Sequence, residues 1–180
     1  MKYKWVIDKE FHFERGHRVW AQELNNPELS ISTACACKHL HGHSYVIKVF
    51  LGANNLDQSA MVTDFKNINF MKAFVDDRLD HKFMIDVNDP NFELITNVKH
   101  RNEEVINFEP LGMYINDYHS LTDDEKLHVD GFVVVNFVPT SENLCRHIYE
   151  YAASKINSVF PGVAVTAVEL WETKKSHCRY

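Results

Sequence analysis

The sequence predicts an α+β domain built on an antiparallel sheet, with helices on one face. Three observations predict it. Two strand-like stretches come first, over Trp5–His17 and His43–Gly52. Two helical stretches follow, at about 65–79 and 141–159, and then a strand over Val163–Glu172 with room for a fourth in the last residues. Alternating strand–helix units, the mark of a parallel doubly wound sheet, are absent.

Each element has a local reason. In the first strand Trp5, Ile7, Phe11, Phe13 and His17 share one parity, and polar residues mostly take the other. The second is rich in Tyr, Val, Ile and Phe and ends at Ala53-Asn54-Asn55. Thr63-Asp64 supplies an N-cap for the first helix, where Ile68, Met71, Val75 and Leu79 recur at helical spacing. The second helix opens after Pro139-Thr140-Ser141, carries Leu144, Ile148, Tyr151 and Val159 near one face, and stops at Pro161-Gly162. Residues 18–36 lack a sustained period, and Asn25-Asn26-Pro27 reads as a loop. Residues 86–130 fit neither period; Asp89-Pro90, Glu109-Pro110-Leu111-Gly112 and Thr122-Asp123-Asp124-Glu125 read as loops. So long a structureless stretch is out of place in a compact domain, so an insertion with some structure of its own is expected there.

The chain of 180 residues, 45% apolar and 12% aromatic, is expected to form one domain over 1–180. It can bury roughly 70% of its unfolded surface, enough for a real core. The N-terminus lacks the apolar run of a secretory signal. The longest apolar stretch, Gly131–Val138, is interrupted by Asn136. It falls far short of the roughly 20 residues that span a membrane. A soluble, cytoplasmic protein without membrane contact is expected, with Cys35, Cys37, Cys145 and Cys178 as thiols. The net charge of −6 excludes a general nucleic-acid binder. It does not exclude an anionic small molecule. Residues 86–130 hold eleven acidic and three basic residues, a net of −8, and the rest of the chain has a net of +2.

Eleven histidines are the oddity of the composition, five of them within the first 43 residues. The sharpest motif is Cys37-Lys38-His39-Leu40-His41-Gly42-His43 at the start of the second strand. Residues i and i+2 of a strand share a face, so His41 and His43 can set two imidazoles side by side. Gly42 between them admits close approach. His17, at the end of the first strand, is the natural third ligand if the two strands are antiparallel neighbours. Three neutral imidazoles leave an open position, as in a catalytic zinc site. Asp80-His81 follows the first helix. Alone it reads as a solvated helix terminus; brought to Cys37, an imidazole oriented by a carboxylate would help generate thiolate. Glu172 ends the third strand, and a carboxylate there can read a guanidine-like ring edge bidentately. Thr140, Ser141 and Glu142 open the second helix, where a cap is the plain alternative.

Taken together these residues resemble the family of 6-pyruvoyl-tetrahydropterin and 6-carboxy-tetrahydropterin synthases. The resemblance rests on Gly-His-Arg at 16–18, Cys-x-x-x-His-Gly-His at 37–43 and Thr-Asp-Phe at 63–65, and continues with Leu-Asp-His at 79–81, Pro-Thr-Ser-Glu-Asn-Leu at 139–144 and Trp-Glu-Thr at 171–173. The set keeps the family's order and spans nearly the whole chain except 86–130. It implies zinc bound by His17, His41 and His43. It implies a catalytic triad of Cys37, Asp80 and His81, and a pterin ring anchored by Glu172 with Thr140, Ser141 and Glu142. It implies the tunnelling fold, an antiparallel sheet with two helices between its second and third strands. Such proteins assemble through their sheets, typically as hexamers, with active sites between subunits.

Within that resemblance the cysteine position separates branches. Cys37 lies four residues before His41, as in the carboxy-type enzymes of queuosine synthesis; Cys35 lies six before, as in the pyruvoyl type. Cys37 is favoured because its window fits without a longer loop. The implied reaction converts 7,8-dihydroneopterin triphosphate to 6-carboxy-5,6,7,8-tetrahydropterin, releasing acetaldehyde and triphosphate. Arg15, Arg18, Lys38, Lys174 and Lys175 are the cations open to the triphosphate. The alternatives are a pyruvoyl-type synthase using Cys35 and a non-catalytic zinc- or pterin-binding module.

Overall fold

The structure, a computed structural model, describes residues 2–26, 28–29, 34–98 and 108–180. Pro27 of the expected loop and residues 99–107 of the expected insertion lie outside the described residues. The elements run β1 (Trp5–His17), β2 (His41–Ala53), α1 (Phe70–Arg78), β3 (Lys82–Asp86), α2 (Phe92–Thr96), β4 (Glu109–Pro110), α3 (Asp123–Asp130), β5 (Phe132–Val135), α4 (Ser141–Val159), β6 (Val163–Thr173) and β7 (Ser176–Arg179). The chain divides into two compact units, one of Met1–Phe13, Ser44–Asp80 and Ser141–Tyr180, the other of Glu14–His43 and His81–Thr140.

In the first unit the strand order is β1-β2-β6-β7. Strand β2 pairs antiparallel with β6, from Val46 opposite Trp171 to Ala53 opposite Val163, and β6 pairs antiparallel with β7. The alternation read from the sequence is physical: Phe11, Phe13, Tyr45, Ile47, Val49 and Leu51 are buried, and their chain neighbours are mostly less so. Helix α4 packs on β6 and β7, burying Leu144, Cys145, Ile148, Ala152 and Ile156. Burying each large side chain of this layer stabilises the unit by about 1.5–3 kcal/mol. Asp64 caps the next element as expected, its carboxylate accepting from the Lys66 N–H at 2.7 Å. The helix expected over 65–79 is split into a 3₁₀ turn, Phe65–Ile68, and α1. Asn69 falls at the break, its side-chain oxygen accepting from Lys9 Nζ at 2.6 Å.

In the second unit the strand order is β4-β5-β3-β1. Here the sheet departs from the expected antiparallel form. The end of β1 runs parallel to β3, with Arg15 opposite Lys82, and β3 runs parallel to β5, with Phe83 opposite Phe132. Neither β3 nor β5 shows alternation, because Met84, Ile85, Asp86 and all of Phe132–Val135 are buried. Strands covered on both faces read as short apolar runs, without the period that reveals a half-buried strand. The stretch 86–130 does hold structure of its own. Ile85, Phe92, Val98, Leu111, Val129, Phe132 and Val134 form a core cluster. Thr122–Glu125, expected as a loop, is the start of α3. The Thr122 hydroxyl accepts from the Glu125 N–H, and the Glu125 carboxylate accepts from the Thr122 N–H. This is a capping box.

Candidate metal centre and active site

Strand β1 ends at His17 and β2 begins at His41, and the two run antiparallel. Gly42 lies against Arg15 and Gly16 at one end, and Gly52 lies against Tyr3 at the other. A Cβ on Gly42 would come 2.9 Å from the Arg15 carbonyl oxygen, so only glycine lets the strands close at this point. That closure gathers the ligand atoms of His17, His41 and His43 within 4.8 Å of one another. The ring centroids stand 4.5 Å (His17–His41), 5.3 Å (His17–His43) and 5.0 Å (His41–His43) apart.

Two of the rings are oriented by main-chain acceptors. His17 Nδ1–H donates to the Pro139 carbonyl at 2.7 Å, and His41 Nδ1–H donates to the His39 carbonyl at 2.9 Å. A carbonyl can only accept, so Nδ1 carries the proton and the neutral ring presents its lone pair at Nε2. Burial, then the nearby Arg15 guanidinium, holds the His17 pKa down at about 3, so its imidazole is neutral, the form that ligates metal. Three converging imidazoles, two of them oriented through Nδ1, fit a zinc-type ion with an open position.

Cys37 lies in a 3₁₀ turn, Ala36–Lys38, just before β2, with Cys35 at its N-cap. Both main-chain groups of Cys37 are held: its carbonyl accepts from Val19 N–H at 2.7 Å and its N–H donates to Gln22 Oε1 at 3.0 Å. Gln22 had no motif to mark it, since its role depends on a contact with a residue 15 positions along the chain. Asp80 and His81 follow α1. His81 N–H donates to the Glu14 carbonyl at 2.7 Å, and its φ of +54° places it in the left-handed region that few non-glycine residues occupy. Such strained backbone gathers at functional sites. Cys37 and His81 belong to the second unit, and Asp80 closes a segment of the first.

Glu172 lies near the end of β6, half-buried, where the Tyr45 hydroxyl donates to its Oε1 at 3.3 Å. Tyr45 is itself buried and stacked on Phe13 at 5.1 Å. Sequence reasoning passed over Tyr45, whose ring looks like core and whose hydroxyl alone reaches the site. Ser141 opens α4, and its carbonyl accepts from the Cys178 thiol at 3.1 Å. Ser141 Oγ and Trp171 Nε1 are buried with no hydrogen-bond partner among the described residues. Thr140 and Glu142 flank Ser141, with Glu142 exposed.

Two of the five candidate cations are engaged elsewhere. Arg15 is buried and reaches the Met84 sulfur. Arg18 Nε stands 3.0 Å from Asp89, a fully buried carboxylate. Lys174 and Lys175 are exposed and Lys38 is half-exposed. A cavity of about 850 Å³ lies among α2, α3 and Tyr114–Asn116, and none of the three clustered histidines lines it. Among the described residues no helix is long and apolar enough to cross a membrane.

The profile of the family described as 6-pyruvoyl tetrahydropterin synthase matches residues 6–180. The chain therefore belongs to the 6-pyruvoyl tetrahydropterin synthase family and has its tunnelling fold, in α+β form with a mixed sheet. It is an enzyme similar to 6-carboxy-5,6,7,8-tetrahydropterin synthase of Aquifex aeolicus, with 33% identity across 98% of each chain. A protein of the same name from Rickettsia typhi is 25% identical over 92% of each. Among solved structures, an uncharacterised protein of Wolinella succinogenes superposes with a TM-score of 0.83 at 37% identity, covering 98% of this chain and 97% of that one. The 6-pyruvoyl tetrahydropterin synthase of Plasmodium vivax superposes at 0.57 with 15% identity, covering 98% of both chains, a likeness of fold alone.

Proposed function

We propose that the protein is a zinc-dependent lyase that converts 7,8-dihydroneopterin triphosphate to 6-carboxy-5,6,7,8-tetrahydropterin, with release of acetaldehyde and triphosphate, in queuosine and other 7-deazaguanine synthesis. The observation that carries the reading is the full-length similarity to a relative named for that activity, joined to the convergent histidines. His17, His41 and His43 would hold the zinc ion, which supplies Lewis-acid polarisation of the substrate's side-chain oxygens.

In this reading Cys37, as thiolate, takes the proton from the substrate side chain, and His81, oriented by Asp80, relays protons. Glu172 holds the pterin ring by its guanidine-like edge, and Ser141, with its buried hydroxyl, and neighbouring Thr140 and Glu142 complete the anchor. Lys38, Lys174 and Lys175 are the cations we assign to the triphosphate, since Arg15 and Arg18 are engaged elsewhere. The whole chain acts as one domain with 86–130 as its insertion, in the cytoplasm, as a homo-oligomer of hexameric type that takes no nucleic acid and no membrane as partner.

Product identification tests the reaction: purified protein with zinc should release acetaldehyde and triphosphate from 7,8-dihydroneopterin triphosphate. Release of triphosphate without acetaldehyde would instead indicate pyruvoyl-type elimination, and release of neither would end both enzyme readings. Cys37→Ala should abolish turnover and Cys35→Ala should leave most of it. The reverse pattern would move the thiol to Cys35.

A further inference from the structure

We infer that Gln22, on a segment pinned by Asp86 and Asp89, is a positioning residue that sets the Cys37 turn for catalysis. The inference deepens the reading above and rests on Cys37 as the reacting thiol.

The segment after β1 lies outside the sheet, and buried side chains help to hold it. Two buried carboxylates at the end of β3 do this. Asp86 Oδ2 accepts from Trp20 Nε1–H at 2.9 Å, while its Oδ1 accepts from the Asn88 N–H at 2.9 Å and the Asn88 side-chain amide at 3.1 Å. Asp89 Oδ1 accepts from the Asn91 N–H at 2.8 Å, and its Oδ2 faces Arg18 Nε at 3.0 Å. The Arg18 N–H is not aimed at that oxygen, so this contact is a charge pairing rather than a formed hydrogen bond. Local turns thus fix both carboxylates before they meet the segment. A carboxylate as buried as Asp89, at 0% exposure, is tolerated only with a cationic or hydrogen-bonding partner.

The pinned segment then holds Cys37 from both sides. Val19 N–H donates to the Cys37 carbonyl at 2.7 Å, Gln22 N–H donates to the Val19 carbonyl at 3.0 Å, and Gln22 Oε1 accepts from Cys37 N–H at 3.0 Å. With its carbonyl and its N–H both tied to one segment, the Cys37 peptide has little freedom to turn, and the direction of its Cβ–Sγ bond follows. The Cys35 carbonyl accepts from Lys38 N–H within the turn. A displacement of about 1 Å in a reacting group can lower turnover about 100-fold, so a clamp of this kind acts on rate rather than on substrate affinity.

The test uses the zinc-loaded full chain. Gln22→Leu keeps the shape and removes the acceptor; Gln22→Glu keeps an acceptor oxygen. Gln22→Leu should lower kcat by about tenfold or more with KM changed by less than about twofold, and Gln22→Glu should recover most of the loss. Zinc content and the melting midpoint should stay at wild-type values in both. Trp20→Phe, which removes only the indole N–H, should lower kcat in the same sense, and it decides the matter if Gln22→Leu does not fold. Wild-type kcat in Gln22→Leu, no recovery in Gln22→Glu, or a loss matched by zinc loss would overturn the inference. Labelling of Cys37 by iodoacetamide, read by mass spectrometry, gives a readout without substrate: its rate should change in Gln22→Leu while that of Cys178 does not. Wild-type turnover in Cys37→Ala would overturn the thiol assignment itself, a result separate from failure of the clamp.

Discussion

At the histidine cluster, two of the three rings donate Nδ1–H to main-chain carbonyls, His17 to Pro139 and His41 to His39, which fixes their tautomers before any ion arrives. At Glu172 a side chain takes that part: the Tyr45 hydroxyl donates to the carboxylate at 3.3 Å. Ser141 Oγ and Trp171 Nε1 are buried with no hydrogen-bond partner among the described residues. Those two histidine rings are thus set by main-chain carbonyls, and Glu172 by a side-chain hydroxyl.

Removing a ligand should have the largest effect. His17→Ala is expected to weaken zinc binding by more than about 100-fold and to abolish turnover, since loss even of a second-layer partner typically costs about 10–100-fold. Metal analysis after dialysis reads the outcome directly. Undiminished zinc would show that His17 is not a ligand and would break the contrast at its histidine end. At the other end, Glu172→Gln removes the charge and keeps the shape. It should raise KM about 10- to 100-fold with zinc content unchanged, in line with about 1.5–3 kcal/mol for hydrogen bonds to a charged group. A KM at the wild-type value would free Glu172 from the ring. Tyr45→Phe should act in the same direction and more weakly, about two- to tenfold in KM, because a neutral donor contributes about 0.5–1.5 kcal/mol.

How far each end could be read from sequence follows from the same contrast. The histidines were legible because a strand puts i and i+2 on one face and a glycine between them marks close approach; the register of β1 against β2 did the rest. Glu172 was visible only through its motif, and Tyr45 not at all, because its ring obeys the core alternation of β2. The long elements were legible too, β1 over Trp5–His17 by that alternation and α4 over Ser141–Val159 by its helical spacing. Strands β3 and β5 were not, because burial on both faces erases the period. The capping box at Thr122 and Glu125 was a signal present in the sequence and read as a loop. Gln22, Asp86 and Asp89 carry no local mark: their meaning lies in contacts across long stretches of chain.

The smallest expected effect concerns the metal-free protein and separates an organised histidine cluster from a merely crowded one. Burial, and after it the Arg15 guanidinium, holds His17 at a pKa of about 3, against an ordinary value of 6.5. The neighbouring His41 and His43 push in the same direction, and the bond to Pro139 opposes. Between these two values the unfolded chain takes up a proton that the folded chain refuses. The folded state is therefore penalised as pH falls: the His17 contribution is whole above about pH 6.5 and is lost progressively below it, with a slope of at most about 1.4 kcal/mol per pH unit. Denaturant melts of the metal-free protein from about pH 7 to about pH 5 should show this slope above the range where carboxylates titrate. In His17→Gln the slope should be smaller by nearly that amount. Equal slopes in the two proteins would mean that His17 takes up its proton in the folded state at an ordinary pH, and hence that its surroundings do not hold it neutral and ready for metal.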